Sequence, residues 1–338
     1  MRILLPFLLC ATLVAQSKDD KSKTSLKGED GLRVQIFLDQ KCFGPGFLDG
    51  KLGQFTKQAV YSYNRFRGRS AEDWDALLVE AHQEVKYLYA VGIVPSFAKK
   101  FVNPDLPRKY EDVGGVKFMA YRSYLEFMAE RYHTSEMFLI ELNSKTKAYS
   151  LKPGDPVIVP NIEPFQIEEL AAGRGYREDE KLSAHNVLID TKNKQLFVYD
   201  PSQAAVSIPG SAIIVAEKNE EPLGKIVAMF PITPGQEKFI HRGTWKMKTC
   251  IEFPSWRYDK QLLEEGKRSK NGVQVAHGPN NPVGVMWCGL SKAGIGIHGT
   301  SSPRTIGRSQ SAGCYRLSNW DAARFPKYVR PGAKVIVR

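Results

Sequence analysis

From Ser183 onward the chain is broken every few residues by Gly, Pro or Asn, and the short runs between the breaks carry alternating apolar side chains. Asn186–Asp200 (NVLIDTKNKQLFVYD) reads as two strands around Lys192-Asn193-Lys194. Residues 212–217, 225–232, 243–253, 281–290 and 333–338 are further strand candidates. A period of two between such breakers predicts a mostly β domain of sandwich or barrel type. Neither a Rossmann glycine fingerprint nor a phosphate loop occurs in it.

Ahead of this region the spacing turns helical. A length of 338 residues predicts two or three domains, and 42% apolar content is enough for cores without disulfides. Val34, Phe37 and Leu38 share a helix face. Turns follow at Phe43-Gly44-Pro45-Gly46 and at Asp49-Gly50 with Gly53, and Thr56 is expected to cap a second helix. Ala71–Ala90 reads as one amphipathic helix on Trp74, Leu77, Leu78, Ala81, Val85 and Leu88. Prolines at 95, 104 and 107 mark a connector. Ser123, and Thr134 or Ser135, are placed to cap two more helices ahead of a strand at Val157-Ile158-Val159. His133 is expected at a surface or cap, and acidic Pro164–Lys181 as a linker.

The N-terminus opens with Met1-Arg2, an apolar run from Ile3 to Val14 and small residues at Ala15 and Ser17. This is the form of a secretory signal peptide, and the run is too short to span a membrane. Leu9 before Cys10 argues against a lipoprotein anchor. The expected chain is exported, to the periplasm or cell wall. Its net charge of +12 points to an anionic partner: nucleic acid, a membrane surface or an acidic wall polymer. Beyond the signal lie Cys42, Cys250, Cys288 and Cys314. Cys250 and Cys288 sit on apparent strands, either bridged or as two buried thiols.

Gly294 to Asn319 holds the chemistry. His298-Gly299-Thr300 is followed by Ser311-Ala312-Gly313-Cys314-Tyr315-Arg316. A thiol has an ordinary pKa of about 8.5, and a neighbouring imidazole can take its proton and hold a thiolate–imidazolium pair. A backbone carbonyl near Gly299 can orient the other ring nitrogen. Gly313 allows a tight turn whose N–H groups can meet an oxyanion. Arg316 suits a carboxylate. Trp287 and Tyr315 are candidates for lining a substrate groove, Arg304 and Arg308 for meeting carboxylates, and Ser311 for supporting the turn. A buried cysteine with a core histidine is the plain alternative. A zinc site from His277, Cys288, His298 and Cys314 lacks close-paired ligand spacing.

Three stretches resemble known families. Ile297-His298-Gly299-Thr300, Ser311-x-Gly313-Cys314-x-Arg316-Leu317 and Asn319, with Gly278-Pro279-x-Asn281-Pro282-x-Gly284-x-x-Trp287 upstream, resemble the YkuD family of L,D-transpeptidases. Gln35-Leu38, Pro45-Gly46, Asp49-Gly50, Gly53 and Thr56-Ala59 are similar to peptidoglycan-binding domain 1. Ala129-x-x-Tyr132, Leu142-Asn143, Leu151-x-Pro153-Gly154-Asp155 and Val159-Pro160-Asn161 look like a LysM module, although no first strand is evident before Ser123.

Together these imply a multidomain α+β chain. It has a signal peptide (1–17), a leader (18–30), a peptidoglycan-binding-like helical module (31–68), a helix and connector (69–115), a LysM-like module (116–162), a linker (163–182) and a sandwich-type catalytic domain (183–338). The resemblance implies acyl transfer on tetrapeptide stems with Cys314 as nucleophile and His298 as base. Water as acceptor would make a carboxypeptidase, a D-amino acid an exchange enzyme, and loss of chemistry a wall-anchoring protein. The implied partners are peptidoglycan stems and glycan strands and carbapenem-type inhibitors. No cofactor, metal, nucleic acid or membrane anchor is implied.

Overall fold

A computed structural model describes residues 28–203, 223–261, 269–309 and 313–338. The expected signal peptide, nearly all of the leader, the strand candidate at 212–217 and Ser311 lie outside the described residues.

The first half contains α1 (Glu29–Gln40), α2 (Gln54–Phe66), α3 (Trp74–Glu84), β1 (Tyr89–Ile93), α4 (Tyr124–Arg131), α5 (Glu136–Asn143), α6 (Lys145–Tyr149) and β2 (Pro156–Pro160). The second half contains β3 (Asn186–Asp190), β4 (Gln195–Asp200), β5 (Lys225–Pro231), β6 (Gly243–Glu252), β7 (Trp256–Tyr258), β8 (Val273–Val275), β9 (Met286–Leu290), β10 (Gly296–His298), β11 (Tyr315–Arg316), α7 (Asn319–Arg324) and β12 (Lys334–Val337).

Eight of these strands form one sheet, in the order β11-β10-β9-β6-β12-β3-β4-β5. The long strand β6 changes partners along its length. Gly243–Lys246 pair with β12, and Met247–Glu252 pair with β9 after a register shift between Met247 and Thr249. A bulge of this kind bends a strand and lets one sheet turn a corner. The two ends of the order then meet. Thr233, just past β5, exchanges backbone hydrogen bonds of 2.9 and 3.0 Å with Arg316 of β11. The expected β domain is therefore one sheet curled until its edges touch, rather than two separate sheets. Closure also protects β11, a two-residue strand that could not hold an exposed edge alone.

Apolar packing joins the two halves. One cluster runs from Val187, Ile189, Val335, Ile297 and Leu317 of the sheet to Tyr121, Leu125, Phe127 and Met128 around α4. The opposite face of β3–β5, with Leu188, Phe197 and Met229, is covered by Leu32, Phe37, Phe43 and Tyr63 of the α1–α2 region. Full burial of one such side chain contributes about 1.5–3 kcal/mol, so this covering is substantial. Beside it, Asp39 binds Arg324 of α7 through two 3.0 Å contacts. Burial works to raise the Asp39 pKa, but Arg324 and His133 prevail and hold it well below the carboxylate range.

Several expectations are corrected. His133 is not at the surface: it closes the C-terminus of α4 with φ 50° and its N–H on the Glu130 carbonyl, as a cap, but it is buried, bonded to Asp39 at 3.0 Å and stacked on Trp320. The helix expected over Ala71–Ala90 ends at Glu84, because the following residues leave to pair as β1 with distant β2. Asp73 caps it, accepting from the Ala76 N–H. Thr56 lies inside α2, where its hydroxyl donates to the Pro45 carbonyl, and Gly53 takes the cap position. The stretch expected as a linker is pinned to β6. Tyr176 N–H donates to the Cys250 carbonyl, and buried Glu252 accepts from Ala171 N–H, Arg174 and the Tyr176 hydroxyl. Of the two readings of Cys250 and Cys288, the structure has the disulfide, across directly paired positions of β6 and β9.

Candidate active site

Parallel pairing of β10 with β11 sets Ile297 against Tyr315 and His298 against Arg316. Cys314 immediately precedes β11, so thiol and imidazole are carried on neighbouring strands. Successive strand side chains point to opposite faces. Cys314 and Arg316 therefore share one face, and Tyr315 points to the other. That alternation corrects the assignment of Tyr315 to a substrate groove: it is fully buried in the core, with a hydroxyl that finds no hydrogen-bond partner among the described residues.

His298 is 5% exposed, and its Nδ1 lies 2.6 Å from the Gly299 carbonyl oxygen. A carbonyl can only accept, so Nδ1 carries the proton and Nε2 keeps the lone pair that a base needs. Trp287, directly across on β9, stacks on the imidazole with ring centroids 5.5 Å apart. Burial lowers the His298 pKa to about 4; the Gly299 bond opposes the shift and Arg316 adds to it. Burial raises the Cys314 pKa, against a backbone bond at Gly296 and the charge of Arg316. The resting pair is thus neutral thiol and neutral imidazole, not the expected ion pair. The Cys314 thiol lies 3.5 Å from the Gly294 carbonyl oxygen, to which it donates.

Gly313 has φ 112°, a conformation that favours glycine, and Ile295 and Phe239 close around it. The segment from Thr233 to Phe239 supplies that wall. A Cβ on Gly235 would lie 2.5 Å from Gly313 Cα and 2.7 Å from its nitrogen, so the two glycine backbones pack directly together. The Thr233 hydroxyl accepts from Gly307 N–H at 2.7 Å and donates to the Thr305 carbonyl at 3.3 Å. The strap that closes the sheet therefore also shapes the loop between base and nucleophile.

Arg316 is half-buried and makes no ion pair among the described residues, and burial lowers its pKa. A guanidinium held this way beside a thiol is a ready carboxylate partner. Tyr110, from the segment before α4, interacts with it and reaches Ser301 at 3.2 Å through its hydroxyl. Arg304 is exposed on the turn at Pro303–Thr305 and interacts with the Glu136 carboxylate at the start of α5. Arg308 is likewise exposed. His277 packs edge-on against Phe118. Cys288 is occupied by the disulfide, and no group of three or more metal-ligating side chains occurs among the described residues.

Sequence reasoning passed over Asn319 as a site residue. It is fully buried, and its Oδ1 accepts from Val285 N–H and Thr300 N–H, both at 3.2 Å. A Cβ on Gly299 would meet that oxygen at 2.4 Å, which is the local reason for glycine after the histidine. Thr233 and Gly235 were also missed. Their signal was present as a Thr-Pro-Gly turn, but nothing local ties that turn to a cysteine far along the chain.

A thiol just before β11 and an imidazole on neighbouring β10 whose Nδ1 is tied to a carbonyl, with a glycine turn and a guanidinium nearby, are the parts of a cysteine-nucleophile acyl-transfer site. The comparisons narrow the class. Residues 184–337 match the family model of YkuD, the L,D-transpeptidase catalytic domain. The candidate L,D-transpeptidase YkuD of Bacillus subtilis is 41% identical over 59 residues, which are 18% of this chain and 36% of that protein. A second candidate from Bacillus subtilis, YqjB, is 23% identical over 141 residues, or 38% of this chain and 73% of its own length. The chain thus spans little more than a third of the first of these relatives. Among solved structures, an L,D-transpeptidase from Mycobacterium smegmatis has a TM-score of 0.30 at 16% identity, covering 56% of this chain and 75% of that one. L,D-transpeptidase 3 from Mycobacterium tuberculosis, with a faropenem-derived adduct, has a TM-score of 0.31 at 15% identity, over 56% and 76%.

Proposed function

We propose that the chain is an exported peptidoglycan L,D-transpeptidase. The observation that carries this is the His298–Cys314 arrangement on paired strands within the residues that match the catalytic-domain family. As the Cys314 sulfur attacks the carbonyl between residues three and four of a tetrapeptide stem, its proton passes to His298 Nε2. The Gly313 turn faces the oxyanion, and Arg316 takes a stem carboxylate. Collapse expels the fourth residue, a D-amino acid, whose amine receives the proton from His298. A thioester remains. An amine of a second stem attacks it, gives up its proton to His298, and a 3–3 crosslink forms as the thiol is restored. With water as acceptor the product is a tripeptide, and with a free D-amino acid it is an exchanged stem. Carbapenems would acylate the same sulfur.

Export is supported by the leader sequence and by the disulfide, which belongs to an oxidising compartment. No helix of the described residues is long and apolar enough to cross a membrane. Glycan binding by the first half is supported in two places. Gln35 fixes the Asp49-Gly50 turn by accepting from both N–H groups at 2.9 and 2.7 Å. The β1–β2 pair flanks α4 and α5, which supplies a first strand for the LysM-like unit. The test is mass analysis of muropeptides after incubation with tetrapeptide sacculi. The expected products are 3–3 dimers and released D-amino acid, with Cys314→Ala lowering turnover by roughly 10⁴-fold or more. Unchanged tetrapeptides with the full chain, or dimers formed at the same rate by Cys314→Ala, would overturn the reading.

A further inference from the structure

Helix α4 meets the catalytic sheet through two carboxyl–carboxamide contacts one helical turn apart. Glu126 Oε1 accepts from Asn280 Nδ2 at 3.0 Å, ahead of β9. Glu130 accepts from Asn319 Nδ2, at 2.9 Å to Oε2 and 3.3 Å to Oε1. The four-residue spacing puts both carboxyls on one face of the helix. All of Asn280, Asn319 and Glu130 are buried.

The second contact leads to the base. Asn319 Oδ1 accepts from Thr300 N–H at 3.2 Å, and the peptide carrying that N–H presents the Gly299 carbonyl to His298 Nδ1 at 2.6 Å. One peptide group is therefore held on one side by Asn319 and on the other holds the imidazole. Resting on the acyl-transfer reading above, we propose that Glu130, from a helix outside residues 184–337, is a positioning residue that fixes His298 through Asn319 and the Gly299–Thr300 peptide.

Glu130 has no cation partner among the described residues; its other donor is the Tyr121 hydroxyl at 3.0 Å. Burial raises its pKa to about 8, aided by Glu126 and Glu136 and opposed by Asn319 and Tyr121, a shift toward the neutral acid. Burying a carboxyl without a cation is unfavourable, and an apolar side chain would fill the space at less cost. What the carboxyl adds is direction. With an acceptor facing Nδ2, the Asn319 amide has one satisfied orientation, with Oδ1 toward Val285 and Thr300. The Pro279 carbonyl also accepts from Nδ2, at 3.2 Å, so the carboxyl acts by fixing where that nitrogen sits; once it is withdrawn the amide can tilt away from Thr300, and the peptide that holds Nδ1 loses its support.

The test uses the full chain and alkylation of Cys314 by iodoacetamide at pH 7, located by peptide mass. This reaction draws on His298 as base but needs no peptidoglycan, so it stays informative even if the muropeptide assay fails. Glu130→Asp withdraws the carboxyl by one methylene, and Glu130→Gln keeps a neutral acceptor at full length. Each is made with His298 and with His298→Ala. In the His298 chain, Glu130→Asp should slow alkylation by about tenfold, a partial loss of the roughly 10²–10⁴-fold that a general base supplies, and Glu130→Gln should stay within about twofold of the parent. In the His298→Ala chain, Glu130→Asp should change nothing further. Equal slowing in both backgrounds would mean general damage and would overturn the proposal. So would a Glu130→Asp rate equal to the parent, or a Glu130→Gln rate as low as that of Glu130→Asp.

Discussion

Burial displaces His298 and Cys314 from their ordinary pKa values in opposite senses, and both displacements favour the neutral forms. Arg316 favours a thiolate but disfavours an imidazolium, so it does not rescue the ion pair. In the proposed mechanism the thiolate then forms only as the proton moves to Nε2 during attack. Ultraviolet difference spectra between the parent and Cys314→Ser should show no thiolate absorbance at pH 7. A step should come only at pH values above the ordinary thiol range, because burial raises this thiol. A step between pH 4 and 7 would show the ion pair and sink this account. The proposed pair was readable as residue types, because a thiol and an imidazole on glycine turns announce themselves by type. Their charge state was not, because desolvation depends on what the fold stacks above them, here Trp287 over His298. His133 misled for the same reason: its partners Asp39 and Trp320 come from opposite ends of the chain.

Most elements of the catalytic half were visible in the alternation of short apolar runs, which matched β3, β4, β5, β6 and β12 closely, whereas of the run 281–290 only Met286–Leu290 is strand. The closure of the sheet was not. It depends on Thr233 meeting Arg316, a contact between two loop ends that no local pattern encodes. Helix α3 was overextended because Val85 and Leu88 continue helical spacing, while pairing of β1 with β2 overrides it. The strap from Thr233 to Phe239 is where an element-level change should be most informative. Gly235→Ala places a methyl against the Gly313 backbone, the turn that precedes the nucleophile. Both atoms it would meet are main chain, so neither can swing aside. The expected result is a loss of thioester formation of about 10²–10³-fold, the scale of losing one oxyanion donor. The thermal midpoint should fall by only a few degrees, since such overpacking costs about 1–3 kcal/mol and Thr233 keeps its bonds. Acylation at the parent rate would show that this turn is not part of the machinery.

On the scale of the whole molecule, the first half is not a set of detachable modules. It covers the outer face of β3–β5, pairs with Arg324 and supports Asn319 through α4. The change from helical to alternating spacing was readable as sequence character, but the interlock was not, since the contacts that make it join residues far apart in the sequence. A fragment of residues 183–338 should therefore behave worse than the full chain in two separable ways. Leu188, Phe197 and Met229 would face water, which favours association of fragments. Arg324 would lose Asp39 and keep only Asp321, at 2.6 Å. Breaking a buried pair on one side costs about 3–5 kcal/mol, which for a domain of this size lowers the midpoint by roughly 10 °C. The fragment should thus elute as oligomers and melt earlier, and its Cys314 should alkylate more slowly even where it is still folded. If it stays monomeric, melts with the full chain and keeps the parent thiol reactivity, the first half serves only to deliver the enzyme to the wall. Slow alkylation in a monomeric, stably folded fragment would instead separate support of the catalytic base from mere covering of the sheet.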